Sequence, residues 1–277
     1  MSKKPKVGMW SGLTAVTAVL TAGAIVGTTV AFHYTTTVNN YLDADTYKII
    51  KGDSDEDTEY FKSDFTSDEE RESYEAELCA QVEAEGAALL KNDNNALPLA
   101  SGAKVSLFGH GSVDLMYGGT GSGSVDTSKA PNFKQALESQ GISVNETLWN
   151  LYSSDSMMSK YSRMTPASIS DTLEANTQYA VNEAPWSALS SAESSFAEYG
   201  DAAIVVLSRS GGEGADLSYG EVNYLALDEN EKAMLQNVAE MKKNGTVKKT
   251  ILLINSANAL QVDFLKNNEY DIDAALW

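Results

Sequence analysis

Three short, almost uninterrupted apolar runs constrain the fold of this chain more than any other feature of its sequence. They are KVSLFG at 104–109, AAIVVLS at 202–208 and TILLIN at 250–255. Each has the length of a strand and is apolar almost throughout, which indicates a strand buried on both faces. Helical patterns separate the runs. This alternation predicts an α/β fold: a mostly parallel sheet with helices on both faces.

Weaker patterns supply the other elements of the predicted domain. Ser67 and Glu70 have the spacing of a capping box, which begins a predicted helix with an apolar stripe from Tyr74 to Leu90. Asp228 is a candidate N-cap. The remaining predictions are helices at 131–139, 228–243 and 258–264, two or three helices within 147–200, and short strands at 142–144 and 272–277.

The N-terminus has the pattern of a membrane anchor. A basic tail at 1–6 precedes a run from Val7 to Phe32 that contains no charged residue. Such a run is long enough to span a bilayer, so we predict one transmembrane helix over 7–34. The positive-inside rule places the N-terminus in the cytoplasm and the rest of the chain outside a single-pass cell membrane. A cleaved signal peptide is the alternative, although the run is longer than a usual signal core.

An acidic tether over 35–66 is predicted to join the anchor to a domain that covers 67–277. The whole chain carries a formal net charge of −19. This charge argues against a nucleic-acid partner, because a phosphate backbone needs a basic surface. Asp53, Asp55 and Asp57 alternate like the start of a calcium loop, but the glycine and glutamate of that motif are absent. A solvated linker without a metal is the preferred interpretation.

Histidine and cysteine are too few for several common site chemistries. His33 and His110 lie far apart in the sequence, and Cys79 is the single cysteine. No Ser-His-Asp triad, histidine-rich metal cluster or intramolecular disulfide is therefore predicted. No cofactor is predicted either. We expect Cys79 to be a small buried apolar residue.

Ligands of parallel sheets bind in the loops after the carboxyl ends of the strands. The loop at 109–126 has four glycines between Gly118 and Gly123, but Asp114 stands where a dinucleotide motif needs its third glycine. The loop at 209–221 carries Glu213 among glycines. A carboxylate in this place can act as a general acid, although a lone loop glutamate is more often a solvated surface residue.

Four segments, in order along the chain, resemble the C-terminal domain of glycoside hydrolase family 3. They are EAEGAALLKNDNNALPL at 83–99 with the strand that follows it, YGGTGSGSVD at 117–126, AAIVVLSRSGGEGADL at 202–217 and KTILLINSANALQVDFL at 249–265. The third segment contains the family's G-E-G-x-D motif. The resemblance covers about residues 67–277.

The resemblance implies an α/β sandwich that abuts a (β/α)8 barrel in a retaining β-glycosidase. The barrel of such enzymes supplies an aspartate nucleophile. In many members the sandwich supplies the acid/base glutamate, a role that the motif assigns to Glu213 here. The substrate implied is an oligosaccharide or an aryl or alkyl β-glycoside, as in β-glucosidases and β-xylosidases. The substrate-binding residues implied by the matched loops are Gly212, Gly214, Asp216, Gly119, Gly121 and Ser122.

Two residues and the domain order depart from the family pattern. Leu217 stands where the motif has arginine, and Asn258 where the family has proline. The barrel ordinarily comes first, so we expect a permuted order with a barrel after residue 277. The chain stops inside an apolar run, and we expect a fragment that is inactive alone. A non-catalytic carbohydrate-binding or surface protein on the same fold is the alternative function.

Overall fold

The computed structural model describes residues 7–42, 63–119, 125–163, 179–212, 217, 224–256 and 258–277. The chain divides into two units, Met1–Ser67 and Asp68–Trp277. The acidic segment with the calcium-like pattern lies outside the described residues.

In its described residues the first unit has two helices, α1 (Val7–His33) and α2 (Thr35–Tyr41). In α1, the segment Trp10–His33 is long and apolar enough to cross a membrane. Threonine hydroxyls inside it donate to backbone carbonyls one turn earlier, as Thr14 does to Trp10 at 2.9 Å. These bonds satisfy polar groups that hydrocarbon could not. A signal sequence near the N-terminus can meet the same criteria of length and composition, so anchoring stays a prediction. Helix α2 lies in the segment predicted to be a tether.

The second unit is built on one six-stranded sheet with the order β1-β6-β5-β4-β2-β3. All neighbouring strands are parallel except β1, which runs antiparallel to β6. The α/β prediction is therefore confirmed. The strands are β1 (Leu89–Asn92), β2 (Lys104–Phe108), β3 (Ser143–Val144), β4 (Ala202–Arg209), β5 (Thr250–Ser256) and β6 (Ala274–Leu276).

Helices cover both faces of this sheet. The described helices of the second unit are α3 (Asp68–Gly86), which has no buried residue, and α4 (Phe133–Ser139), α5 (Glu146–Tyr152), α6 (Asp155–Tyr161), α7 (Glu229–Lys243) and α8 (Phe264–Asn267), with 3-10 helices at Asp93–Asn95, His110–Ser112 and Trp186–Ser195. Alternate residues of β4 point to opposite faces. Val205 and Leu207 pack in a core with Leu235 of α7, while Ile204 packs in a second core with Ile142.

The register of the central strands brings the loops that follow them together. In the β4–β5 pair, Ala203 lies opposite Thr250 and Arg209 opposite Ser256. In the β2–β4 pair, Phe108 lies opposite Val205. The carboxyl ends of β2, β4 and β5 therefore meet at the same edge of the sheet.

Three local predictions were wrong, each for a physical reason. The helix predicted as far as Leu90 ends at Gly86, because Leu89–Asn92 forms the edge strand paired with β6. The helix predicted at 258–264 is instead Phe264–Asn267, since the hydroxyl of Ser256 accepts the Asn258 N–H at 3.0 Å and holds a turn. Cys79 is exposed, because no residue of α3 is buried in this unit.

Candidate functional site

A cleft of about 550 Å³ lies where the carboxyl ends of the strands meet. Its walls come from the loops after β2, β4 and β5, together with the end of α3 and Trp277. The lining residues used below are Met116, Tyr117, Gly118, Gly119, Arg209, Ser210, Gly211, Asn255, Ser256 and Asn258. A second cleft of about 440 Å³ shares Met116–Gly119 and is also lined by Asp114 and Arg163.

Gly109 turns the chain out of β2 and into this region. Its φ of +91° lies in a region that side chains disfavour, and a Cβ there would lie 2.6 Å from the Val206 carbonyl oxygen. The Gly109 N–H donates to the hydroxyl of Tyr152 at 3.1 Å. Burial, and then the charge of Glu183, raises the pKa of Tyr152 well above its ordinary value. This tyrosine therefore stays a neutral hydrogen-bonding group.

A buried histidine and glutamate fix the next turn. Nδ1 of His110 lies 2.9 Å from an oxygen of Glu183, and both side chains are almost fully buried. The Glu183 carboxylate also accepts the N–H groups of His110, at 3.0 Å, and of Ala184, at 2.9 Å. His110 therefore positions the backbone of the loop and is not accessible to a ligand in the cleft.

A polar network joins the loop after β2 to the ends of β4 and β5. Arg163 donates to the hydroxyl of Ser208 at 2.7 Å and contacts the Asp114 carboxylate at 2.9 Å. Ser208 in turn donates to Oδ1 of Asn255 at 3.0 Å. Burial lowers the pKa of Arg163, and the charge of Asp114 works against that effect. The network holds the wall shared by the two clefts.

Comparison with known proteins decides the family. Residues 87–277 match the family model described as the glycosyl hydrolase family 3 C-terminal domain. The chain belongs to glycoside hydrolase family 3. Two similar proteins are beta-glucosidase A of Butyrivibrio fibrisolvens, 34% identical over 146 residues, and a beta-glucosidase of Ruminococcus albus, 30% identical over 202 residues. The matches cover 50% and 73% of this chain but only 15% and 19% of those proteins.

Solved structures agree with this family 3 fold. Beta-glucosidase 3B from Thermotoga neapolitana, in complex with glucose, superposes with a TM-score of 0.56 at 23% identity. The match covers 75% of this chain and 27% of that one. A beta-glucosidase from Paenibacillus barengoltzii gives a TM-score of 0.52, also at 23% identity. The family 3 chain described here thus spans less than a third of the proteins it matches.

The structure places only some of the residues implied by the family motif. Gly119 lies in the wall shared by the two clefts, and Gly212 is exposed directly after the cleft residue Gly211. The others lie outside the described residues, so their roles stay predictions. They are Glu213, Gly214, Asp216, Gly121 and Ser122.

The two residues that depart from the family pattern, Leu217 and Asn258, pack at or beside the loop that contains the motif. Leu217 packs against a small apolar cluster of Tyr179, Val181 and Tyr224. The amide of Asn258 lies so close to Gly211 that a Cβ on this glycine would be 2.9 Å away. Both residues therefore belong to the packing around the loop that carries Glu213.

Sequence reasoning missed the buried charged residues of this region. Glu183 and Glu231 are almost fully buried, and Arg209 at the end of β4 is as well. No local pattern shows that they are buried, because the ionisable partners that they meet in the interior, His110 for Glu183 and Arg209 for Glu231, are distant in sequence. Among the described residues, no group of three or more His, Cys, Asp or Glu could hold a metal ion.

Proposed function

We propose that this chain is the part of a retaining β-glycosidase that supplies the acid/base carboxylate, Glu213. In the first step this group would protonate the leaving glycosidic oxygen, while an aspartate of a barrel domain attacks the sugar. In the second step the same carboxylate would take a proton from the water that releases the sugar. The substrate class is a β-glucoside or a related oligosaccharide or alkyl or aryl β-glycoside.

One observation carries this proposal: the residues just before Glu213, from Arg209 to Gly211, line the cleft at the carboxyl edge of a family 3 domain. Gly119 lines the same cleft beside this segment, since a Cβ on it would lie 3.2 Å from the Gly211 carbonyl oxygen. Gly212, exposed at the edge, leaves room for close approach of a sugar. Gly214, Asp216, Gly121 and Ser122 are proposed to contact the substrate on the strength of the motif alone. The names of the relatives support glucose as the sugar.

A (β/α)8 barrel, expected after residue 277, is the proposed partner domain. Tyr74, Leu78 and Val82 lie along one side of α3 and are exposed, as are Leu89 and Leu90. Exposed apolar side chains in one region are typical of an interface. In the full-length protein, Leu78→Asp should weaken the packing of the barrel against this domain and lower the free energy of unfolding. Glu77→Gln on the same helix should change neither.

The proposed location is the outer face of a cell membrane, with α1 as an uncleaved anchor. The test is to fractionate cells and wash the membranes with alkaline carbonate. An anchored protein stays in the membrane pellet and keeps its N-terminal residues. A soluble protein that begins after about residue 35 would support signal-peptide cleavage.

The experiment that tests the proposed chemistry replaces Glu213 with alanine in the full-length product of this gene. We expect kcat/KM for an alkyl β-glucoside to fall by about 10²- to 10⁴-fold, because a poor leaving group needs protonation. For a dinitrophenyl glucoside, whose leaving group needs little protonation, the rate of the glycosylation step should fall much less. Azide should restore turnover and give the β-glycosyl azide.

The matched control is Glu221→Ala, which removes a second glutamate from the same loop and should leave the ratio of the two rates unchanged. If Glu213→Ala keeps wild-type turnover of the alkyl glucoside, the assignment is wrong. A full-length protein that binds sugars without hydrolysing any glycoside would support the non-catalytic alternative.

A further inference from the structure

Arg209, the last residue of β4, is buried and donates all five of its N–H groups. The two Nη atoms form a bidentate pair with Glu231, with both N–O distances at 2.7 Å. The other three bonds go to backbone carbonyls, those of Ser208 at 3.0 Å, Tyr224 at 2.8 Å and Ala226 at 2.9 Å. Burial acts to lower the pKa of Arg209, but Glu231 offsets this, and the pKa lies above its ordinary value.

Tyr224 closes the loop that Arg209 begins. Its hydroxyl accepts the N–H of Ser210 at 2.8 Å, and its ring lies under the guanidinium, 5.4 Å from it. The two ends of the segment that contains Glu213 are therefore bonded to each other. Leu217, within the segment, packs against the apolar cluster to which this tyrosine belongs.

Glu231 ties this assembly to the domain core. Its carboxylate accepts the Asp228 N–H at 2.9 Å in a capping box, so it also fixes the first turn of α7. That helix is held in the core by Met234 and Leu235. The Arg209–Glu231 pair thus connects the end of β4, the first turn of α7 and the returning end of the loop at Tyr224 and Ala226.

Stability alone is a poor explanation for such a pair. Two charges lose their hydration on burial, and apolar residues of similar volume often stabilise a fold equally well. What apolar residues cannot provide is the fixed set of directions of a planar guanidinium with five donors. Three of these donors hold carbonyls at the two limbs of the loop.

We infer that Arg209, Glu231 and Tyr224 are positioning residues that set the place of the loop carrying Glu213 and thereby the strength of acid catalysis. This inference rests on the proposed function. Displacement of the loop would misplace the proton donor, and errors of about 1 Å in such groups cost up to about 100-fold in rate. Substrates that need no protonation would be affected far less.

The test uses Tyr224→Phe in the full-length protein. It removes the hydroxyl that accepts the Ser210 N–H and keeps the ring. We expect kcat/KM for an alkyl β-glucoside to fall about ten-fold, and that for a dinitrophenyl glucoside to fall by less than about two-fold. The matched control is Tyr152→Phe, which removes another buried hydroxyl that accepts a loop N–H, from Gly109. It should change both rates by the same factor.

Glu231→Gln supplies an independent variant, since it keeps the shape of the side chain and removes the charge. Its thermal unfolding is recorded beside its rates, so that loss of folded protein, which lowers both rates equally, is separated from loss of acid catalysis. A selective loss with the alkyl substrate supports the inference. If Glu213→Ala is selective but neither Tyr224→Phe nor Glu231→Gln is, the positioning role is overturned and the proposed function stands. If Glu213→Ala is not selective, both are overturned.

Discussion

Asn255 forms hydrogen bonds with both backbone polar groups of Met116. Its Oδ1 accepts the Met116 N–H at 2.6 Å, and its Nδ2 donates to the Met116 carbonyl at 3.0 Å. One side chain at the end of β5 therefore replaces the pairing that a neighbouring strand would give. The loop after β2 is held in the cleft wall although it has no strand partner there.

Replacing Asn255 by alanine should lower the free energy of unfolding by about 1–3 kcal/mol, because two partly buried backbone groups lose their partners. On the proposed function, KM of the full-length protein for a glucoside should also rise, since Met116–Gly119 line the cleft. Urea denaturation and steady-state kinetics measure the two effects. Asn237→Ala is the control: that side chain donates only to the Ala233 carbonyl of its own helix, at 2.7 Å, and its loss should cost less than about 0.5 kcal/mol.

Gly109→Ala and Gly141→Ala separate a steric clash from backbone strain. Both glycines have positive φ, +91° and +76°. A Cβ at Gly141 meets nothing closer than 3.8 Å, so alanine there should cost about 1–2 kcal/mol. At Gly109 the Cβ would also meet the Val206 carbonyl at 2.6 Å, and the cost should exceed about 3 kcal/mol. Equal losses in thermal unfolding experiments would contradict this account.

Asp228 caps α7 by accepting the Glu231 N–H at 2.6 Å. Asp228→Ala should lower the free energy of unfolding by about 1 kcal/mol, and Asp228→Ser, which can also accept this bond, by clearly less. Chemical denaturation of the two variants gives the comparison. A serine variant as unstable as the alanine variant would show that the cap does not carry the effect.

Asp201 gives the fold a pH dependence of known sign. Its carboxylate accepts the Lys104 N–H at 2.9 Å and pairs with Lys248 at 2.6 Å, and the backbone bond is the main reason that its pKa is lowered from 3.8. A lowered carboxyl pKa stabilises the fold above the pKa of the unfolded chain, and this contribution is lost as the pH falls through the folded pKa.

The corresponding variant is Asp201→Asn. It should be less stable than wild type by no more than about 1 kcal/mol at pH 7, since water screens this half-exposed pair. The difference should shrink below about pH 4. Denaturation midpoints across this range provide the measurement, and a difference that does not vary with pH would count against the assignment.

The sequence predicted the central strands well because strands buried on both faces are short, continuous apolar runs. An amphipathic helix instead has apolar residues every three or four positions. It failed at Leu89–Asn92, where membership of the sheet depends on pairing with residues almost at the other end of the domain. At 258–264 it failed because one serine hydroxyl organised a turn. Such contacts are tertiary, and periodicity does not record them.

The rule that loops after parallel strands carry ligands predicted where the candidate cleft lies. The buried ionisable pairs beside this cleft could not be predicted from the sequence. Arg209 lies 22 residues from Glu231, and His110 lies 73 residues from Glu183. Each of these ionisable residues, seen alone in the sequence, has the appearance of a surface residue. Only the fold reveals that each is buried beside its partner.

The antiparallel pairing of β1 with β6 has a consequence for biosynthesis. The first strand of the domain cannot complete its ladder until residues 274–276 have been made, because they are its neighbours in the sheet. Until then the edge of β5 is also uncovered, since β6 separates it from β1. An uncovered edge of a largely apolar strand invites pairing with another chain. The nascent chain should therefore be most prone to pair with other chains just before β6 emerges from the ribosome.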